Sequence, residues 1–573
     1  MKTKILCLLV AIIAVMAFAV SCFGGPATDD NKKPGGDDGS GISYDYDWTE
    51  TSILAELSEN SASGELTSGC RRYYAGGDTT KYDEIDNAVR DRNRLAAKAA
   101  NVSLKYDYKG DETQYAWGAN VSRIVTQTKA GSTSMPDIYC NFVYDITSAA
   151  LRGCFANLLD ETYPKGNFFR FTEDDYNPVS EDYFDSKAGE GYFYQYMESL
   201  SLTPESKIYC LASNYCTDVV RAFLVIPVNI NILEQLTKDA PAGDRDKDGD
   251  TDVEDFYQMV WADEWDYSML AAYANKVYAT GKDSFSDNTD LGDEVVGFAL
   301  GAGSGLSASG VLYTSSVQII QKKADGTYYY PEKNDDLTAL ATALNTLFKE
   351  NATGGICTVR KTTEVTNLVP TAQTELQAIR TRFSEDHVLF GGIIAVGSLE
   401  DKVYQDMKSS KGFGIVPVPL YQSHKESGDE YLTLVHNIAR IVAISKSTEK
   451  FSQCSAFLDY QSRTSEEILN TYYDVNLTAS VGGLAGEQNS KMLTYIRNHV
   501  RNCFDKTYED AISNYMADTD DTAMSTRWHG ILMSNDYQVT NISTLYDELY
   551  KNKTKYLNDV YNTWNGIGKD SAN

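Results

Sequence analysis

From residue 244 to residue 255 the chain reads Asp244-Arg245-Asp246-Lys247-Asp248-Gly249-Asp250-Thr251-Asp252-Val253-Glu254-Asp255. Acidic side chains fall at the first, third, fifth, ninth and twelfth places. Calcium is a hard cation that gathers many oxygens, and this spacing wraps carboxylates around one point, with the backbone carbonyl of Asp250 added at the seventh place. Gly249 stands at the sixth place, where such a loop must turn sharply. Asp244, Asp246, Asp248, Asp250, Asp252 and Asp255 are therefore the expected ligand set of one calcium ion with a structural role. Without a cation, six aspartates so crowded repel one another and fray the start of the next element. That element reads as a helix, with Val253, Phe256, Met259 and Val260 on one stripe. A solvated acidic linker is the other reading of these residues.

The loop resembles that of an EF-hand, with two departures. Asp255 takes the place of the usual bidentate glutamate, as in dockerin modules, and Thr251 replaces an apolar residue. A second such loop is missing, which argues against a paired calcium sensor.

Other chemistry leaves little trace in the sequence. There is no HExxH, no GxSxG and no P-loop, and the histidines are His387, His424, His436, His499 and His529. Ten cysteines, less Cys7 and Cys22 near the N-terminus, leave Cys70, Cys140, Cys154, Cys210, Cys216, Cys357, Cys454 and Cys503. None forms a CxxC pair, so zinc is not expected. Most read as buried thiols, and Cys210 with Cys216 is the pair best spaced for a disulfide.

Lys2 and Lys4 precede an apolar run from Ile5 to Val20, the layout of a secretory signal. It ends in Ala19-Val20-Ser21-Cys22, which resembles the lipobox of bacterial lipoproteins. That resemblance implies a signal peptide over residues 1–21, acylation of Cys22, and a protein held by lipid on the extracytoplasmic face of the cell membrane. Residues 23–41 are mostly Gly, Pro, Asp, Asn and Lys, a composition that buries little apolar surface; residues 22–65 read as anchor and flexible tether. No later stretch is apolar for long enough to span a membrane. A formal net charge of −30 repels phosphate backbones and anionic lipid, so nucleic acid is excluded as a partner and membrane contact rests on the anchor.

The positioning elements read as α/β. Residues 82–100 place Ile85, Ala88, Val89, Ala96 and Ala99 along one helical stripe, and Val102, Leu104, Tyr106 and Tyr108 then alternate with polar residues as a strand. Residues 390–396, 413–418 and 438–444 read as buried strands, 71–75 as a first strand, and the chain from Glu449 onward as mainly helical. A chain of 573 residues with 42% hydrophobic content is long enough for two cores.

Four segments in order resemble the extracellular solute-binding proteins of ABC importers, the family that includes the maltose-binding protein. They are Ser134-Met135-Pro136-Asp137-Ile138-Tyr139 with residues 151–160, Lys207–Cys210 with Phe223–Asn229, Gly412–Pro419, and Val442–Thr448 with Ala456–Tyr460. The resemblance implies a two-lobed periplasmic-binding-protein-like fold of type II with hinge strands and a helical C-terminal section. Lobe I would take residues 66–216 and 383–436, and lobe II residues 217–382 and 437–573. It also implies a monomer that closes over a solute, a sugar or oligosaccharide, and delivers it to permease subunits. A secreted glycan-active enzyme and a surface glycan-binding lipoprotein without a transporter remain the alternatives.

Matched onto the family's pattern, Asn141, Tyr144 and Asp145 fall where relatives hold sugar hydroxyls, although Asp145 equally suits capping of the helix entered there. Met524–Trp528 resembles a stretch whose tryptophan stacks on a sugar ring; Trp528 as a core aromatic is the competing reading. Arg221, just before a crossing strand, is a further candidate for a polar ligand group. Gly391-Gly392-Ile393-Ile394 departs from the family, where tryptophan often follows a glycine pair, and one stacking platform is lost with it.

Overall fold

The computed structural model describes residues 40–58, 70–77, 84–109, 119–132, 134–171, 191–200, 207–236, 240–280, 295–301, 305–325, 327–350, 355–359, 374–405, 407, 412–422, 428–436, 439–473, 484–500 and 539–564. Met1–Ser43 and Tyr44–Asn573 are separate units, and among the described residues every strand belongs to the second.

Strands β1 (Thr51–Ser58), β2 (Val102–Lys109), β3 (Ile138–Phe142) and β12 (Arg440–Ile444) form one sheet in the order β12-β3-β1-β2. β1 runs parallel to both β2 and β3, while β12 runs antiparallel to β3. Helix α1 (Glu84–Ala99) carries the chain from the first layer into β2, burying Ile85, Val89 and Ala96. Its neighbour is α8 (Phe451–Arg463), which enters after β12. Helices α2 (Ala119–Lys129) and α3 (Val143–Ala150) pack together, α3 following β3 without a loop.

The second sheet holds β4 (Leu224–Asn229), β5 (Val296–Gly301), β8 (Ile356–Val359), β9 (Val388–Phe390), β10 (Ile394–Ala395) and β11 (Phe413–Pro417). Its order is β10-β4-β9-β5-β8, with β11 also on β4; β5 runs parallel to β8 and β9, and β4 antiparallel to β9, β10 and β11. A hairpin of β6 (Gln321–Lys322) and β7 (Tyr328–Tyr329) stands apart from both sheets. Fold class is thus α/β with two mixed sheets, each the floor of one lobe.

The chain first crosses between lobes through helix α4 (Thr217–Arg221) into β4. It returns beside that crossing: Leu224 donates its N–H to Leu434 O at 3.0 Å, His436 to Ala222 O at 2.9 Å, and Phe223 bridges Val435. These two antiparallel stretches are the hinge pair.

Pairing corrects the expected division of the chain. β9, β10 and β11, within residues 383–436, lie in the β4 sheet, whereas β12 and α8, within 437–573, complete the β1 sheet. Residues 388–417 therefore belong to the second lobe and residues 440–463 to the first, opposite to the expectation, whereas 484–498 and 539–564 pack on elements of the second lobe as expected; a buried apolar run shows that a strand exists but not which edge it joins. β1 falls inside the segment read as tether, yet Ile53, Ala55 and Leu57 are buried and the strand lies between two partners. Residues 70–74 form a helical turn, not a strand. Cys210 and Cys216 are buried thiols rather than a disulfide, and Cys140, Cys154 and Cys454 are buried thiols too.

The glycine pair at 391–392 explains the interruption between β9 and β10. Gly392 has φ +78°, and a Cβ there would meet the carbonyl oxygen of Ala299 at 2.8 Å. A Cβ on Gly391 would lie 2.9 Å from both Phe383 and Pro227, so the bend is close-packed at both glycines.

Candidate functional site

In open α/β sheets, ligands gather beyond the carboxyl ends of parallel strands. In the first lobe those ends are Ser58 on β1 and Phe142 on β3. The β1–β3 register sets Glu56 beside Tyr139 and ends with Leu57 beside Cys140, so that Ser58 and Asn141 are the next residues on the two strands. Glu56 and Ser58 alternate onto the same face, under α2 and α3.

Polar side chains crowd that face. Asn141 is 1% exposed; its Oδ1 accepts the N–H of Phe142 at 2.7 Å, while its Nδ2 has no partner. The hydroxyls of Tyr139 and Ser148 and the Oε2 of Glu56 are likewise buried without partners. Asn120 Nδ2 donates to Asp145 at 3.4 Å, Arg123 donates to Asn120 Oδ1 at 3.2 Å, and Arg123 pairs with Glu56. Burial pushes the Glu56 carboxyl upward, against the opposing pull of Arg123. Each buried polar atom left unpaired costs about 1–3 kcal/mol, so this concentration creates a demand for water or solute hydroxyls.

Among the expected ligand residues, Asn141 and Asp145 share this cluster, and Tyr144 is half-buried between them in sequence. Asp145 does not cap α3. The N-cap is Phe142, without a side-chain cap bond, and Asp145 lies in the first turn, where the helix dipole favours a carboxylate. Trp528 and Cys22 lie outside the described residues. No local pattern in the sequence marks Glu56, Asn120 or Arg123; strand pairing and helix packing alone bring them together.

Arg221 stands elsewhere, in a buried ionic quartet. Its Nη1 lies 2.6 Å from Asp218, its Nε and Nη2 lie 2.8 and 3.3 Å from the two oxygens of Glu400, and its guanidinium sits 4.9 Å from the Tyr73 ring centroid. Asp218 also meets Arg440 at 3.4 Å, and the Tyr472 hydroxyl donates to Glu400 at 2.8 Å. Burial works against the charge of Arg221, but Glu400 and Asp218 outweigh it and hold its pKa well above the usual guanidinium value. Its donors are engaged with carboxylates, which corrects its assignment as a ligand contact.

The acidic loop folds on itself. Gly249 has φ +105° and donates its N–H to Asp244 at 3.2 Å; Asp246 accepts from Asp248 N at 3.0 Å, and Asp248 from Asp250 N at 3.1 Å. Helix α5 (Val253–Trp261) comes next, with Asp252 as N-cap and Asp255 reciprocating in a capping box. Carboxylate oxygens of Asp244, Asp246 and Asp255 lie within 4.8 Å of one another. Asp255 is 1% exposed, and its oxygens accept backbone N–H groups of Arg245, Asp246 and Asp252. An all-oxygen set of this kind suits a hard divalent cation, though three of the six aspartates converge and Asp248, Asp250 and Asp252 do not. The N–H of Asp248 favours ionised Asp246, yet desolvation and the neighbouring carboxylates raise its pKa; repulsion from Asp248 raises that of Asp250.

No helix among the described residues is long and apolar enough to cross a membrane. Neither a protein-family model nor a curated protein matches the chain. Solved structures do. The sugar-binding protein MalE from Xanthomonas citri is 9% identical, with a TM-score of 0.49 over 90% of this chain and 99% of that one. An ABC transporter solute-binding protein from Thermotoga lettingae, bound to α-D-tagatose, is 10% identical, with a TM-score of 0.44 over 88% and 100%. The galacto-N-biose-/lacto-N-biose I-binding protein of the Bifidobacterium longum ABC transporter, in complex with lacto-N-biose, is 13% identical, with a TM-score of 0.42 over 91% and 99%.

Proposed function

We propose that this chain is the solute-binding subunit of an ABC-type importer, capturing a sugar or oligosaccharide between its two lobes and passing it to membrane permease subunits. The observation that carries the reading is the buried, under-partnered polar wall at the carboxyl ends of β1 and β3. Asn141 Nδ2 and the hydroxyls of Tyr139 and Ser148 lack partners there. Hydroxyls of a polyol both donate and accept, which is what such a mixed wall requires. Tyr144, half-buried at the start of α3, adds an amphipathic ring. Trp528 would add a second. Acylation of Cys22 would keep the captor beside its permease on the extracytoplasmic face of the membrane. Asp244, Asp246 and Asp255 would hold one calcium ion, with the carbonyl of Asp250 and the remaining aspartates closing around it, neutralising the loop and pinning α5.

A thermal-shift screen against sugars, polyols and peptides tests the reading, because a ligand that binds only the folded chain raises its melting temperature. At least one sugar should raise it, and Tyr144→Ala should diminish that rise without lowering the melting point of the free protein. A folded protein that responds to none of the sugars ends the proposal; release of reducing ends from a glycan would point to an enzyme instead. Calcium in the same assay should raise the melting temperature independently of sugar, and Asp244→Ala should remove that rise. No calcium heat in calorimetry at roughly millimolar concentration, the range of the weakest extracellular sites, would refute the metal assignment.

A further inference from the structure

The quartet around Arg221 lies where the two lobes meet, and its members come from both sides. Asp218 and Arg221 belong to α4, in the crossing segment itself. Arg440 is the first residue of β12, so it enters the first lobe straight from the return crossing. Tyr472 closes helix α9 (Glu466–Thr471) of the first lobe, and Tyr73 lies on the turn Cys70–Tyr74. Glu400 alone comes from the second lobe, at the end of the 3-10 turn Val396–Glu400 that succeeds β10.

Exposure separates these groups. The side chains of Asp218 and Arg440 are 0% exposed and that of Arg221 is 2%, whereas Glu400 is 22% exposed. A carboxylate at a partly wetted edge exchanges its partners for water at modest cost; a fully buried one does not. If Glu400 withdraws, Arg221 still has Asp218 at 2.6 Å, so the charge left behind remains paired. The quartet thus has three permanent members, Asp218 with Arg221 and Arg440, and one releasable member, Glu400.

We propose that Glu400 is a conformational latch: its contacts with Arg221 and the Tyr472 hydroxyl hold one arrangement of the lobes, and rotation about the hinge pair breaks them. The latch rests on the reading of the chain as a two-lobed captor, but it is a property of the protein's own side chains and is measurable without a solute. Three charge-assisted hydrogen bonds reach Glu400, and their exchange for water at a partly exposed site is enough to shift the ratio of arrangements by about tenfold.

Small-angle X-ray scattering of the sugar-free full chain tests it. Glu400→Gln should change the radius of gyration and the interlobe part of the distance distribution, and Tyr472→Phe, which removes only the hydroxyl contact, should change them in the same direction and less. Chemical denaturation run beside the scattering checks that each variant is folded. If Glu400→Gln unfolds the protein, the milder Tyr472→Phe decides. Variants that lose stability while scattering as the parent does would show a purely structural quartet and overturn the latch. A sugar response lost with scattering changes intact would instead strike the solute reading alone.

Discussion

Asp459 receives the hydroxyls of Tyr44 at 2.7 Å and Tyr192 and the backbone N–H of Arg170 at 3.2 Å, with its side chain 0% exposed. It ties the first residues of the second unit to α8, and its burial raises its pKa from the ordinary aspartate value even though Tyr192, Tyr44 and Arg463 favour the charge. The folded state therefore holds this proton more tightly than the unfolded chain. Its contribution to stability is largest below the unfolded carboxylate value, near pH ~4, and is lost as pH rises through the raised folded value. Asn at this position does not titrate. The stability of the parent relative to Asp459→Asn should thus fall as pH rises from about 4 through the raised folded value, then level off. Urea denaturation of both proteins across that range gives the difference directly, and a pH-independent gap would mean that Asp459 titrates normally.

Element packing is close where helix α6 (Tyr267–Thr280) lies on β5. A Cβ on Gly297 would fall 2.1 Å from the Cα of Ala274, a backbone atom unable to yield without shifting the helix. Gly297→Ala should therefore destabilise the protein by roughly 1–3 kcal/mol, read as a lower urea midpoint. An unchanged midpoint would mean that α6 is not seated on β5 as described. Helix α5 is fixed differently: Tyr257 donates to Asn489 Oδ1 at 3.1 Å, and Asn489, on helix α10 (Leu484–Asn498), also takes the N–H of Ile415 and gives Nδ2 to Phe413 O. That bond network links the acidic loop's helix to β11, so order in the loop reaches the second sheet. Such joints show why some elements were legible and others not. Residues 102–109, 413–417 and 440–444 announce themselves by alternation or unbroken apolar runs, and α1 by its stripe. β1 comes after a tether-like segment and hides in it, and the lobe to which 383–436 belongs depends on contacts distant in sequence. The candidate site divides the same way: Asn141 and Asp145 sit at a strand end that local order reveals, while Glu56, Asn120 and Arg123 meet only in three dimensions. Arg221 looked like a ligand contact because a lone arginine before a crossing strand carries no mark of the partners that Asp218 and Glu400 supply.

Taken as a whole, each lobe is built from separated stretches of chain, and β12 reaches β3 only after the entire second sheet has been spelled out. Tyr44 and Asp459 bond across 415 residues, Arg92 and Ser465 across 373, and Tyr74 and the Arg440 carbonyl across 366. Loop closure over such distances is slow, and contacts of this order dominate folding time. During synthesis the first lobe is thus dependent on later chain: its β3 edge waits unpaired until residues 440–444 emerge, and α1 waits for α8. An unpaired strand edge invites association with other chains. The molecule accordingly has a long vulnerable interval that a holding chaperone would need to cover. A chain ended after Pro419 should emerge with its β1–β3 amides unprotected in hydrogen exchange and prone to aggregate, whereas one ended after Tyr473 should protect them. Protection of those amides in the shorter chain would show that the first lobe matures alone, and that nothing in the timetable of translation obliges it to wait.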